Sequence, residues 1–168
     1  LGFNETARSP YTNCDAWFQA EDIKRLRRKA TEAEASFRKT GITFNVYGES
    51  EAAERLIPFD IVPRILSGRA WDRLSKGIDQ RVRALNAFLY DIYHTQEIIK
   101  AGRIPAELIA NNDAFLPEMI GVTPPGGVYT HIVGTDIVRT GENDFFVLED
   151  NARTPSGVSY MLENRETM

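Results

Sequence analysis

The sequence holds one cysteine, Cys14, and two histidines in 168 residues. A lone thiol cannot close an internal disulfide, and two histidines without neighbouring thiols do not meet the spacing of a zinc site. No apolar run approaches the roughly 18–20 residues needed to span a bilayer, which argues against a membrane role. Internal repeats and low-complexity segments are missing too, which sets repeat architectures aside. There is no excess of basic charge: the net charge is −4. General attraction to nucleic acid is therefore not expected, and small-molecule chemistry or protein partners are. The unpaired cysteine suggests a reducing, cytoplasmic setting. The chain begins Leu1-Gly2-Phe3 with no basic-then-apolar leader and no initiating Met, and it stops within the polar stretch Glu163-Asn164-Arg165-Glu166. Neither end reads as a natural terminus.

What is present is the composition of an ordinary globular chain, 42% hydrophobic and 26% charged. Asp15 is placed to cap a helix from about Ala16 to Lys39, with Gly41 as its stop and Phe18, Ile23, Leu26, Ala30, Ala33 and Phe37 at helical spacing. Residues 42–47, ITFNVY, alternate as a strand that ends at Gly48. The prolines of Pro58-Phe59-Asp60-Ile61-Val62-Pro63 exclude a central strand and predict an extended connection. From Ala70 to His94 the series Trp71, Leu74, Ile78, Val82, Leu85, Leu89 and Ile92 predicts the strongest helix, its Trp and Phe side chains in the core and Arg69, Arg73, Arg81 and Arg83 on its solvated side. Short helical turns are expected at 96–100 and 105–110, and Pro124-Pro125-Gly126-Gly127 breaks the pattern. Two strands then follow, Val128–Thr140 and Phe145–Asn151, around the loop Gly141-Glu142-Asn143-Asp144. The expected fold class is α/β with an α+β tendency, a mainly antiparallel sheet flanked by helices. Residues 1–40 form a helical segment in this reading, and residues 41–168 a domain.

The last hairpin carries the chemistry. If Thr140 pairs with Phe145 across a four-residue loop, Asp136 lies directly opposite Glu149. Asn151 shares the face of Glu149, and Asp150 points away. Opposed carboxylates repel unless something neutralises them, and an oxygen-only donor set suits magnesium or manganese. The alternative is an exposed hairpin whose acids are hydrated or paired with Arg139 or Arg153. His131, five residues before Asp136, falls on the opposite face.

The stretch from Asp136 to Gly157, with Glu149-Asp150-Asn151 and Pro155 inside it, resembles the metal-binding hairpin of the ATP-grasp superfamily, in which an Asp on one strand is followed on the next by Glu-x-Asn. The thirteen-residue interval from Asp136 to Glu149 is similar to that of the D-alanine:D-alanine ligase branch. The segments GITFNVYG at 41–48, PFDIVPRI at 58–65, QRVRALNAFLYDIY at 80–93, PPGGVYTHIVGTDIVR at 124–139 and VLEDNARTPSGVSYMLENR at 147–165 resemble the circularly permuted ATP-grasp proteins, a branch similar to glutathionylspermidine synthase.

The resemblance implies part of an ATP-grasp fold and a carboxylate–amine ligase acting through an acyl phosphate. ATP and Mg2+, or Mn2+ in its place, would be the cofactors, and a carboxylate and an amine, small molecules or peptides, the substrates. Asp136, Glu149 and Asn151 would hold the metal, Arg153 would act in catalysis, and Arg139 and Arg153 would contact the nucleotide phosphates. Ser156, Gly157 and Ser159 would hold the acceptor substrate. Gly134 departs from the pattern, since peptide ligases often carry a basic residue two positions before the metal-binding Asp. The adenine pocket and the Gly-rich phosphate loop are expected after Met168. Two other readings stand beside the ligase: a non-catalytic module that binds nucleotide or protein, and an unrelated metal-dependent phosphatase or nuclease. Oligomeric state is not legible.

Overall fold

Helical residues outweigh strand residues in the computed structural model, which describes residues 9–45, 54–141 and 144–168. Its strands form two separate antiparallel ladders, so the expected mixture of helices and antiparallel pairing is what the chain adopts. The chain divides into two compact units, Leu1–Gly68 with Ser156–Met168, and Arg69–Pro155.

In the first unit the single long helix expected from 16 to 39 is two helices, α1 (Thr12–Ala20) and α2 (Ile23–Thr40). The cap expected at Asp15 falls inside α1, and the cap of the longer helix is Asp22. Its extended backbone ends the preceding turn, and its carboxylate accepts from the Lys24 amide at 2.9 Å, satisfying one of the first unpaired N–H groups. Gly41 stops α2 as expected, at a φ of 75° that a side chain would oppose. Leu26, Ala33 and Phe37 are buried on one stripe of α2, whereas Ile23 is exposed. The Phe37 ring packs on Phe59, at 5.1 Å between centroids, so the proline-bounded connection is tied to the core without strand pairing.

After Gly41 the strand β1 (Thr43–Asn45) pairs with β2 (Glu54–Leu56), and the rest of the expected strand, through Gly48, lies outside the described residues. One element was not foreseen: α6 (Val158–Thr167) follows Gly157, and its Glu163 carboxylate accepts from the Ser36 hydroxyl of α2 at 3.1 Å.

The second unit is organised by α3 (Gly68–Tyr93), close to the bounds its periodicity predicts. Ile92 is buried, and Leu74, Ile78, Val82, Leu85 and Leu89 are half-buried, but Trp71 in the first turn is 55% exposed and is not the core residue expected. Tyr93 closes the other end, stacked between Phe115 and Tyr129. Burial, with Tyr90 and Tyr93 nearby, pushes the Tyr129 hydroxyl above its ordinary value.

The chain then turns through α4 (Glu97–Lys100) and α5 (Ala106–Ala110). Asp91 on α3 anchors α4. Its carboxylate accepts from the Thr95 hydroxyl and from the Glu97 and Ile98 amides, each at 2.9 Å. The Ile98 amide first, then Glu97, Thr95 and the Lys100 charge, hold Asp91 below the usual carboxylate range against the opposing effect of burial.

The final hairpin is β3 (Gly134–Arg139) and β4 (Phe145–Asn151). The strand expected from Val128 begins six residues late. Asn86 of α3 takes the amides of Tyr129 and Thr130 on its carbonyl oxygen, at 2.7 and 3.2 Å, and donates to the Thr130 hydroxyl at 2.8 Å. Those backbone groups are satisfied by a helix side chain and so have no ladder to join.

Candidate metal centre

Asp136 lies directly opposite Glu149, and Gly134 opposite Asn151. Asp136, Glu149 and Asn151 are all exposed on one face of the hairpin. The predicted cluster therefore forms, but by a different route from the unbroken pairing expected. Near the turn Arg139 pairs with Phe145, Val138 with Phe146 and Ile137 with Val147, one residue out of step with the ladder beyond. Leu148 is the extra residue, a β-bulge, and is 71% exposed. The bulge matters because side chains alternate across a strand. It lets Phe145 and Val147 turn inward with Ile137 and Arg139, while Phe146, Leu148 and Glu149 face out. An unbroken ladder with Asp136 opposite Glu149 would have sent Phe146 and Leu148 inside.

The inner face is tied down by the chain itself. Asp150 pairs with Thr135 and accepts its hydroxyl at 3.0 Å. Its other carboxylate oxygen takes Nε of Arg81, on α3, at 2.6 Å, and its side chain is only 9% exposed. Beside this ion pair runs a groove of about 530 Å³ walled by Leu74, Ile78, Ile137, Phe145 and Val147.

On the outer face neither Asp136 nor Glu149 has an ion-pair partner among the described residues, so the expected alternative of pairing with Arg139 or Arg153 is not what forms. The Asn151 amide donates to Glu149 Oε1 at 3.2 Å. Directly opposed side chains have Cβ atoms about 5 Å apart, close enough for two carboxylates to share one cation. A half-turn of the Asn151 amide brings its oxygen to the same side. Hard oxygen donors without nitrogen or sulfur fit magnesium or manganese. Among the described residues no three His, Cys, Asp or Glu side chains converge, so the donor set is two carboxylates and an amide.

The remaining predicted residues are placed as follows. Arg139 turns to the inner face, where Nε donates to the Gly141 carbonyl at 2.9 Å and the guanidinium lies 5.6 Å from the centre of the Phe145 ring. It is not brought to the carboxylates. Arg153 is exposed just past the end of β4, with no hydrogen-bond or ion-pair partner among the described residues. Gly134 sits on the ligand face, where an added Cβ would rest against Asn151 and Pro155 at 3.6 and 3.5 Å. Ser156, Gly157 and Ser159 belong to the other unit. Gly157 precedes α6 at a φ of 99°, and Ser159 lies in the first turn of that helix, not in a loop. Sequence reasoning missed Arg81, which it assigned to the solvated side of its helix, and Asn86. The inward direction of Asp150, one residue from Glu149, was the available signal that its carboxylate needed a donor from elsewhere in the fold.

The arrangement gathers two carboxylates and an amide on one face of a hairpin whose other face is anchored to a helix. Comparison with known families agrees: residues 63–168 match the circularly permuted ATP-grasp type 2 family, and the chain belongs to it. It is 48% identical over 143 residues to an uncharacterized protein of Synechocystis sp., a match covering 85% of this chain and 30% of that protein. An uncharacterized protein of Mycobacterium tuberculosis is 44% identical over 161 residues, covering 96% of this chain and 28% of its own length. A protein of Frankia casuarinae that carries the provisional name glutamate–cysteine ligase 2-2 is 41% identical over 140 residues, 83% of this chain and 16% of that protein. The chain thus spans less than a third of these relatives. No helix among the described residues is long and apolar enough to cross a membrane.

Proposed function

We propose that this chain is the metal-binding part of a longer cytoplasmic ATP-dependent carboxylate–amine ligase, with residues 41–168 forming part of its ATP-grasp domain. The observation that carries the proposal is the exposed face on which Asp136 opposes Glu149 with Asn151 beside them, in a chain of the circularly permuted ATP-grasp type 2 family. The provisional glutamate–cysteine ligase name of the Frankia casuarinae relative supports a reaction of this kind.

In the proposed reaction a substrate carboxylate oxygen attacks the γ-phosphorus of ATP and the bond to ADP breaks. An amine nitrogen then attacks the acyl carbon of the acyl phosphate, inorganic phosphate leaves and the nitrogen loses its proton, so that an amide forms. When bound, magnesium neutralises charge on the phosphate oxygens and aligns them. Asp136, Glu149 and Asn151 are assigned to holding it. Arg153, exposed beyond β4, is the residue of this chain assigned to the transferring phosphoryl group, because a guanidinium matches phosphate geometry. Ser156, Gly157 and Ser159 are assigned to the acceptor substrate. Arg139 has a satisfied position at the turn, which argues for a structural role.

Magnesium-dependent ADP release by the intact protein, measured with and without candidate amines, tests this reading. Amine-stimulated release that falls on the order of 100-fold or more in Glu149→Ala is expected. Metal and nucleotide binding without turnover would instead favour a non-catalytic module.

A further inference from the structure

We infer that Asp150 and Arg81 are positioning residues for the metal-binding side chains: from the inner face they select the strand register that sets Asp136 opposite Glu149 on the outer face. The inference rests on the metal reading above and names the device that assembles that site.

The ladder contains two registers, joined at the Leu148 bulge. If the turn-side register ran on unbroken, Asp136 would oppose Leu148, Thr135 would oppose Glu149, and Gly134 would oppose Asp150. That slip of one residue carries Glu149 and Asn151 to the inner face and dismantles the cluster. Repulsion between Asp136 and Glu149 favours the slip whenever no cation is bound.

What opposes it comes from outside the hairpin. Asp150 is held by Arg81 Nε at 2.6 Å and by the Thr135 hydroxyl at 3.0 Å. The Thr135–Asp150 pair lies between Asp136–Glu149 and Gly134–Asn151, so fixing it fixes both. Arg81, whose side chain is about half exposed, draws one carboxylate to the inner face, and either of two neighbours can supply it. With Asp150 there, Glu149 is left outside. With Asp150 neutralised, Glu149 reaches Arg81 by slipping inward. A second substitution at Arg81 removes the cause of the slip.

The experiment titrates Mn2+ into the purified protein by electron paramagnetic resonance and follows melting by circular dichroism, all binding being measured below each melting transition. Wild type is expected to bind Mn2+ and Glu149→Gln to lose binding. Asp150→Asn should weaken affinity about 10–100-fold. Arg81→Met should weaken it less, and the double variant Arg81→Met/Asp150→Asn should bind more tightly than Asp150→Asn alone, a recovery that mere loss of structure does not produce. Arg83→Met, which breaks an exposed ion pair with Asp79 on the same helix, should bind as wild type. Wild-type affinity in Asp150→Asn, alongside lost binding in Glu149→Gln, overturns the positioning role and leaves the metal reading intact. A double variant no better than Asp150→Asn overturns it as well. A wild type that does not bind Mn2+ overturns both.

Discussion

Glu149 and Asp150 are consecutive carboxylates on one strand, and the fold treats them in opposite ways. Asp150 turns inward, where a helix guanidinium and a cross-strand hydroxyl complete its hydrogen bonding and its side chain is almost fully covered. Glu149 turns outward to face Asp136, and among the described residues the neighbouring Asn151 amide is its one hydrogen-bond donor. The inner carboxylate stabilises this chain as it stands. The outer pair is an electrostatic conflict left for something else to resolve, and proteins keep such conflicts at binding sites. Asp91 is a further case of the inner kind, a carboxylate whose acceptor capacity is spent on the start of α4.

The contrast can be broken by exchanging which carboxylate is removed. Asp150→Ala should cost about 1–2 kcal/mol in denaturant unfolding, because it removes the hydrogen bonds of a covered carboxylate to the half-exposed Arg81 guanidinium and the Thr135 hydroxyl. Glu149→Ala should cost far less, and equal costs would erase the distinction between the faces. Asn86, the other inner anchor supplied by α3, gives up three hydrogen bonds to residues 129 and 130 when replaced by Ala, for an expected loss of about 1–2 kcal/mol. Glu149→Gln sharpens the comparison in the other direction: without metal it should stabilise the chain by about 0.2–1 kcal/mol through relief of the opposed charges. Millimolar magnesium should then raise the melting temperature of the wild type but not of the variant.

The smallest effect concerns Asp91 and is read through pH. Its folded-state proton affinity is depressed, so its contribution to stability is complete above the ordinary carboxylate value of about 3.9 and is lost as pH falls through the lower folded value. Unfolding measured from about pH 6 to about pH 3 should show a constant deficit in Asp91→Asn at the upper end that narrows at the acid end.

Much of this was legible because it depends on local periodicity. The apolar series of α3 gave its bounds almost to the residue, Gly41 marked the end of α2, and the interval from Asp136 to Glu149 marked the hairpin. Two misses share one cause, side chains acting over long sequence separations. Asn86 withholds residues 129 and 130 from β3 across 43 and 44 positions, and Arg81 meets Asp150 across 69. The break between α1 and α2 is different, since Asp22 was a visible cap that the hydrophobic pattern outweighed.

The sequence by itself determined which donors the hairpin offers and that Glu149 and Asn151 share a face, because strand alternation and residue chemistry are local properties. Whether that face also holds Asp136 was decided only in the tertiary structure. A ladder tolerates a one-residue bulge at little cost in main-chain bonding, and the anchor on Asp150 lies on a helix far away in the sequence.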